Sequence, residues 1–294
     1  MARRPGPAGA AAPVLIGVGH GSRDPRSAAT VRTVLDAVAA ARPSRPVRVA
    51  FLDLTAPSVE RVLDAVAGAG HRHAVVVPLL LGSAFHARVD LPGLLAEARA
   101  RHPLLRIDQA DVLGPDTRLI DALAERVREA LDSAPAVRRE LGGHPRPSTA
   151  TGGTGPSQPV GPASAEQLPV ASAHGERLPV GVIVAAVGAS SAAANARTRL
   201  VAEEFAARTG LRTELCFATA DPGVEIARAR LLARGVRRIV VAPYFLAPGL
   251  LTDRIAVAAP ELTHAAALGA HPALTELIWD RYDAASAERH RLSA

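Results

Sequence analysis

The sequence predicts an α/β protein of two similar domains, each a parallel sheet of about four strands flanked by helices, with an active-site cleft between them. Short apolar runs alternate with longer helical stretches, the rhythm of strand–helix units wound into a parallel sheet. The second half of the chain then repeats the first. The length agrees, since 294 residues suffice for two ordinary domains at about 150 residues each.

In the first half, Val14-Leu15-Ile16-Gly17-Val18 reads as a buried strand ending in a glycine turn, and an alanine-rich helical pattern runs from Ser27 to Arg42. Val47–Leu52 is the second strand, and Pro57 to Ala67 a helix with proline in its first turn. Ala74–Leu81 is apolar on both faces, as a central parallel strand must be. A helix over Arg88–Arg101, a weaker strand over Leu105–Ala110 and a helix from Pro115 to Leu131 complete the unit.

The second half echoes these runs. Val182–Ser190 matches Val14–Ser22, Ala220–Glu225 follows Thr55–Glu60, and Arg238–Leu246 follows His73–Leu81. Leu268-Gly269-Ala270 echoes Leu113-Gly114-Pro115 at a shorter spacing, so the second copy has lost residues around its fourth strand. Between the copies lies HPRPSTATGGTGPSQPVGPASAEQLP, which holds too few large apolar side chains to offset its ordering entropy. The expected organisation is residues 1–132, a disordered linker over 133–179, and residues 180–294.

Composition removes several function classes. The single cysteine, Cys216, excludes an intrachain disulfide and any Cys-based zinc or iron–sulfur site. No apolar run reaches the ~18–20 residues that span a bilayer, and Arg3-Arg4 lacks the apolar segment of a signal peptide. The expectation is a soluble cytoplasmic protein without a membrane role. All 34 basic residues are arginine and scattered, the net charge is +6, and only one Trp, two Tyr and five Phe occur. Nucleic-acid binding wants clustered cations with stacking platforms, so it is not expected. An anionic small molecule remains compatible with the charge.

Ligands of open parallel sheets bind beyond the carboxyl ends of the strands. There the first strand delivers Gly19-His20-Gly21-Ser22-Arg23-Asp24-Pro25 and the second Phe51-Leu52-Asp53-Leu54. The third is followed by Gly82-Ser83-Ala84-Phe85-His86-Ala87-Arg88 and then Asp90-Leu91-Pro92. His20, Asp53 and His86 form a ligand set suited to a borderline divalent metal, and the imidazoles can accept protons near neutral pH. A lone histidine after a strand is more often a hydrogen-bonded turn residue. The repeat argues against that here, because aligning the halves turns His20 into Gly188, Asp53 into Ala218 and His86 into Leu251. Asp24 is expected to cap the following helix, and Asp90 either to orient His86 or to cap. The glycines are spaced GxGxG, not GxGxxG, and without lysine no Walker motif is possible. GxSxG is absent as well.

These three motifs resemble the sirohydrochlorin chelatase family, the class II tetrapyrrole chelatases that include the small anaerobic cobaltochelatases. The resemblance covers residues 13–132 with specific motifs and 180–285 as a degenerate second copy. It implies a lyase that inserts a divalent metal into sirohydrochlorin, Fe2+ to give sirohaem, with Co2+ insertion for cobalamin synthesis as the alternative. It implies no prosthetic group, the metal being a substrate. His20 and His86 match the family's active-site histidines, acting as metal ligands and proton acceptors. Asp53 stands where the family carries Glu, one methylene longer, which implies a tighter site or no ligation by this residue. Ser22, Arg23 and Arg88 are candidates for the substrate's carboxylates. A monomer with two domains replacing a homodimer is expected. A non-catalytic metal or tetrapyrrole carrier is the reading from a different class.

Overall fold

The apolar run after Pro13 forms the centre of a sheet because it has no polar face to offer water. The computed structural model describes residues 12–82, 90–133 and 179–287. In it β1 (Val14–Gly19) is buried along its whole length. The parallel strands β2 (Val47–Phe51) and β3 (His73–Pro78) flank it, and β4 (Arg106–Gln109) lies outside β3, in the order β2-β1-β3-β4. Helices α1 (Pro25–Ala41), α2 (Val59–Gly68) and α3 (Leu91–Arg101) make the crossovers, and α4 (Thr117–Ser133) follows β4. Asp24 caps α1 as expected, its side chain accepting from Arg26 N at 2.9 Å. Ser58 caps α2, so that helix starts at Val59, two residues after Pro57.

The second half forms a second parallel sheet with the same topology, β6-β5-β7-β8. It comprises β5 (Val180–Ala186), α5 (Ala192–Thr209), β6 (Arg212–Phe217), α6 (Val224–Ala233), β7 (Arg238–Pro243), α7 (Leu250–Ala258), β8 (Thr263–His264) and α8 (Pro272–Ala287). The short β8 sits where the repeat loses residues. Among the described residues no helix is long and apolar enough to cross a membrane. The expected linker falls almost wholly outside the described residues.

The strand register corrects the repeat by one position. Val14 pairs with Ala74 in the first sheet, and Gly181, not Val182, pairs with Ile239 at the matching place in the second. A strand buried on both faces carries no alternation, so its apolar letters do not fix a phase. The turn glycines do: Gly21 at φ +94 and Gly188 at φ +86 are the matching left-handed positions. His20 therefore corresponds to Val187. Asp53, whose N–H bonds to His20 O, corresponds to Thr219, whose N–H bonds to Val187 O.

The final helices are exchanged. The sequence assigns α4 to the first unit, yet α4 lies on β7 and α5 of the second, while α8 lies on α1 and β3 of the first. Trp279, 3% exposed, donates its indole N–H to Val38 O at 3.1 Å, and Tyr282 Oη donates to Pro13 O at 2.7 Å. Paired cross-links repeat the pattern: Arg281 on α8 donates to Leu113 O at 3.3 Å, and Arg126 on α4 to Leu268 O at 3.0 Å. One buried cluster accordingly runs through both halves, from Leu15 and Val75 to Val184 and Trp279. The two halves make one compact unit.

Candidate active site

The site begins where β1 and β2 run out. Beyond the ladder, Leu52 N donates to Gly19 O and Asp53 N to His20 O, each at 3.0 Å, so the two loops continue side by side. Thr55 locks them, its Oγ1 accepting from Ser22 N and donating to Ser22 O, both at 3.0 Å. Gly21 lies between, and a Cβ there would stand 1.7 Å from Asp53 O, with φ already at +94. Only glycine permits that approach. The consequence is that His20 and Asp53 emerge together at the carboxyl end of the sheet.

Both line a cavity of about 470 Å³ together with Leu52, Asp90, Gly93, Leu94 and Glu97. Its lining thus joins the β1 and β2 loops to one face of α3, all in the first half. Asp90 makes no side-chain capping bond to α3 and contributes to the cavity wall instead. Glu97 was not singled out from sequence, although it lies seven residues beyond Asp90, on the same helical face. Among the described residues, no three His, Cys, Asp or Glu side chains are grouped closely enough to hold a metal ion by themselves. His86 and Arg88 lie outside the described residues.

The other predicted residues take distinct places. Ser22 Oγ accepts from Asp24 N at 3.0 Å, so this hydroxyl oxygen serves the turn into α1. Arg23 is exposed and makes no hydrogen bond or ion pair among the described residues. Asp24 is only 7% exposed. The Arg26 guanidinium bonded to it holds its carboxyl below the ordinary carboxylate range. Arg26 also reaches across to Asp253 on α7, with Nη1 at 3.3 Å from Oδ1, which ties the His20-bearing loop to the second half. Gly249, at the start of α7, lies against the Asp24 side chain. This bridge had no sequence signal, because Arg26 and Asp253 are far apart in a chain crowded with arginine.

The second half keeps the loops and not their polar groups. At the matched positions of the second half, His20 gives way to Val187, which is 45% exposed. Asp53 gives way to Thr219, whose hydroxyl donates to Val187 O at 2.8 Å. An imidazole and a carboxylate are lost together while the loop hydrogen bonds persist. The third comparison, His86 with Leu251, rests on a residue outside the described ones. Of the other described histidines, His73 is bonded to Asp108 at 2.8 Å at the opposite end of the sheet, His102 to Asp64 at 2.6 Å, His264 to Ala259 O at 2.8 Å and His271 to Glu125 at 2.9 Å.

Comparison with known proteins places these features. The CbiX family model matches residues 14–130 and 181–285, both copies of the repeat. The sirohydrochlorin cobaltochelatase of Methanosarcina acetivorans is 32% identical over 124 residues, 40% of this chain and 95% of that protein. The sirohydrochlorin ferrochelatase of Bacillus subtilis is 33% identical over 116 residues, 39% of this chain and 44% of that one. The match thus spans less than half of the Bacillus protein's length. The structure of SirB from Bacillus subtilis with Fe3+ aligns with a TM-score of 0.66 at 19% identity, over 94% of this chain and 96% of that one. At that identity the likeness is one of fold.

Proposed function

From the premise that this chain belongs to the CbiX family, the sirohydrochlorin chelatases, we propose that it inserts a divalent metal ion into sirohydrochlorin. The observation that carries the reading is the pairing of His20 with Asp53 on one cavity at the carboxyl end of the first sheet. Insertion exchanges two pyrrole protons for one dication, so the site needs a perch for the metal and bases for the protons. His20, with His86 from the motif after β3, serves as ligand and proton acceptor, and Asp53 offsets the cation's charge. Asp53 reaches one methylene less than Glu, so the perch draws the metal closer to the β2 loop.

Fe2+ is the assigned substrate, giving sirohaem. Co2+ insertion is the second reading, favoured by the cobaltochelatase name of the Methanosarcina relative. Imidazole and carboxylate accept both ions. Ser22, Arg23 and Arg88 are assigned to the macrocycle's carboxylates, and Arg23 is exposed and unpaired among the described residues. One chain supplies both halves, residues 1–132 and 180–294, which supports a monomer as the working species, and the cytoplasm is its assigned compartment.

An anaerobic absorbance time course tests this. Enzymatically prepared sirohydrochlorin is mixed with Fe2+ or Co2+, alone or with wild-type protein, His20→Ala or His86→Ala. Rapid spectral conversion by the wild type, lost in both variants, is the expected result, and the faster metal is the substrate. A stoichiometric spectral shift with no acceleration would make the protein a carrier and sink the enzyme assignment.

A further inference from the structure

The loop that carries Asp53 holds a leucine where the backbone favours glycine. Leu54 has φ +58, and among the described residues the six other positions with positive φ are all glycine. In this left-handed conformation a Cβ crowds the following carbonyl, a cost that glycine avoids and asparagine tolerates. The turn itself does not call for leucine, because its bonds come from other atoms. Leu54 N donates to Asp53 Oδ1 and Thr55 N to Asp53 O, each at 2.7 Å. Thr55 Oγ1 then fastens the loop to Ser22.

The core does not call for this leucine either. Leu54 is 52% exposed and packs into none of the three apolar clusters of the described residues. Exposed leucines stand elsewhere, Leu104 and Leu200 among them, so exposure alone marks nothing. Neither of those two has a positive φ. At Leu54 exposure and backbone strain coincide, and the position directly follows a residue that lines the cavity. Strain retained without a packing reason points to a function for the side chain.

The second half builds the same loop without it. Phe51 N bonds to Pro57 O and Phe217 N to Pro222 O, so five residues span the first loop and four the second. The two match through Asp53 and Thr219, whose N–H groups bond to His20 O and Val187 O. The additional residue therefore falls between Asp53 and Pro57. Residues 218–221 include no positive φ. The longer, strained loop with an exposed leucine thus occurs in the copy that has His20 and Asp53.

Resting on the chelatase reading above, we infer that Leu54 is a substrate-contact residue whose side chain packs on the apolar face of the tetrapyrrole. The four ring nitrogens must reach an ion that Asp53 helps to hold, so the macrocycle spreads over the residues around that carboxylate. Leu54 Cα lies about 3.8 Å from Asp53 Cα across one peptide. Its exposed apolar surface suits a flat conjugated ring whose charged groups are peripheral. Burying that surface contributes binding free energy in the complex, which offsets strain carried by the free protein. The contact is one of affinity for the tetrapyrrole, so it belongs in that substrate's KM and not in the metal's.

The experiment uses the full chain with metal-free sirohydrochlorin as probe, comparing wild type, Leu54→Asn, Leu54→Met and a distant exposed leucine, Leu104→Asn. Absorbance titration measures tetrapyrrole Kd without metal, steady-state Co2+ insertion measures KM for each substrate, and circular dichroism measures Tm. Leu54→Asn keeps the left-handed backbone and removes the apolar surface, so its Tm should lie within about 3 °C of wild type or above it. Its Kd and KM for sirohydrochlorin should rise about three- to tenfold, with KM for Co2+ within about twofold. Leu54→Met should recover most of the affinity, and Leu104→Asn should bind as wild type does. An unchanged Kd in Leu54→Asn overturns the inference, as does an equal loss in Leu54→Met or Leu104→Asn. A Leu54→Asn protein melting more than about 6 °C below wild type would mark a structural residue and overturn it as well. A wild-type dimer that Leu54→Asn dissolves at unchanged Kd would give the leucine to a second copy of the chain instead. If the wild type binds sirohydrochlorin and inserts no metal, the chelatase reading falls, and the titration still decides whether Leu54 meets the ring.

Discussion

Gly21→Ala is the sharpest test of how the site is held. A Cβ at this position would stand 1.7 Å from Asp53 O, and an ordinary contact of about 3.5 Å requires the loops to part by roughly 1.5–2 Å. The left-handed φ of +94 adds a conformational cost of about 1–3 kcal/mol for a residue with a side chain. Parting the loops strains the Asp53 N–His20 O bond, worth about 1 kcal/mol. The total of about 2–4 kcal/mol is within the stability of a folded domain, so the protein folds with a displaced loop. Melting should drop by about 5–15 °C, and metal insertion should slow about 100-fold because a displacement near 1 Å has that effect. Gly188→Ala is the matched control. Its φ of +86 imposes similar backbone strain, but its Cβ meets Phe217 Cβ at 3.0 Å, a milder contact on the copy without His20 and Asp53. Circular dichroism melts and the absorbance assay should show both variants destabilised and only Gly21→Ala slow. Equal rates for the two, or a Gly21→Ala protein with full activity, would refute the claim that this close approach aligns His20 with Asp53.

Two further outcomes follow from the shared core and from the ion pairs between halves. Trp279→Ala removes the indole that α8 inserts against α1 and leaves Val38 O without its donor. A loss of about 3–5 kcal/mol is expected, read by denaturant titration as one transition in which both halves unfold together. Asp116 is bonded to Arg118, which also meets Asp280 on α8 at 2.6 Å. The Arg118 guanidinium holds the Asp116 carboxyl below its ordinary value of 3.8. A depressed carboxyl contributes stability that is complete above the unfolded value and is lost as pH falls through the folded one. Stability from this group should therefore drain away below about pH 4, and Asp116→Asn should flatten that acid limb. An unchanged acid limb in the variant would show that the bond carries no linkage.

What the sequence made legible was whatever depends on local chemistry. Pro25 after Asp24 marks the start of α1, and the strand-like runs locate the four strands of the first sheet and β5 and β7 of the second. The turn glycines and the motif residues bring His20 and Asp53 to one end of the sheet. Three things escaped. Strand phase escaped because Val14–Val18 and Val182–Ala186 are apolar at each position, so a one-residue slip costs the pattern nothing. The exchange of α4 and α8 escaped because an amphipathic helix records that one face is buried, not against which sheet. Glu97 escaped because a charged residue on an exposed helical face is the ordinary case, and only the cavity distinguishes it.

The exchanged helices also explain how one copy can lose its site and still be kept. The first sheet is covered on one side by Leu274, Leu277, Ile278, Trp279 and Tyr282 of α8, all buried. Those side chains belong to the second half, just as Leu119, Ile120 and Leu123 of α4 belong to the first and help cover the second sheet. Substitutions at Val187 or Thr219 touch no part of that exchange, so the polar groups of the second copy were free to change. Substitutions in α8 are not free, because they uncover the sheet that presents His20. The second half is thus constrained as a structural partner to the site through α8, and through Asp253 it also meets the loop that carries it. A chain ending after α4 would expose both the face under α8 and the apolar side of α4 itself. It should therefore fail to form a stable monomer, and supplying residues 179–294 as a separate chain should restore a soluble, folded complex. A soluble, monomeric and cooperatively folded first half would defeat this account of why the second copy persists.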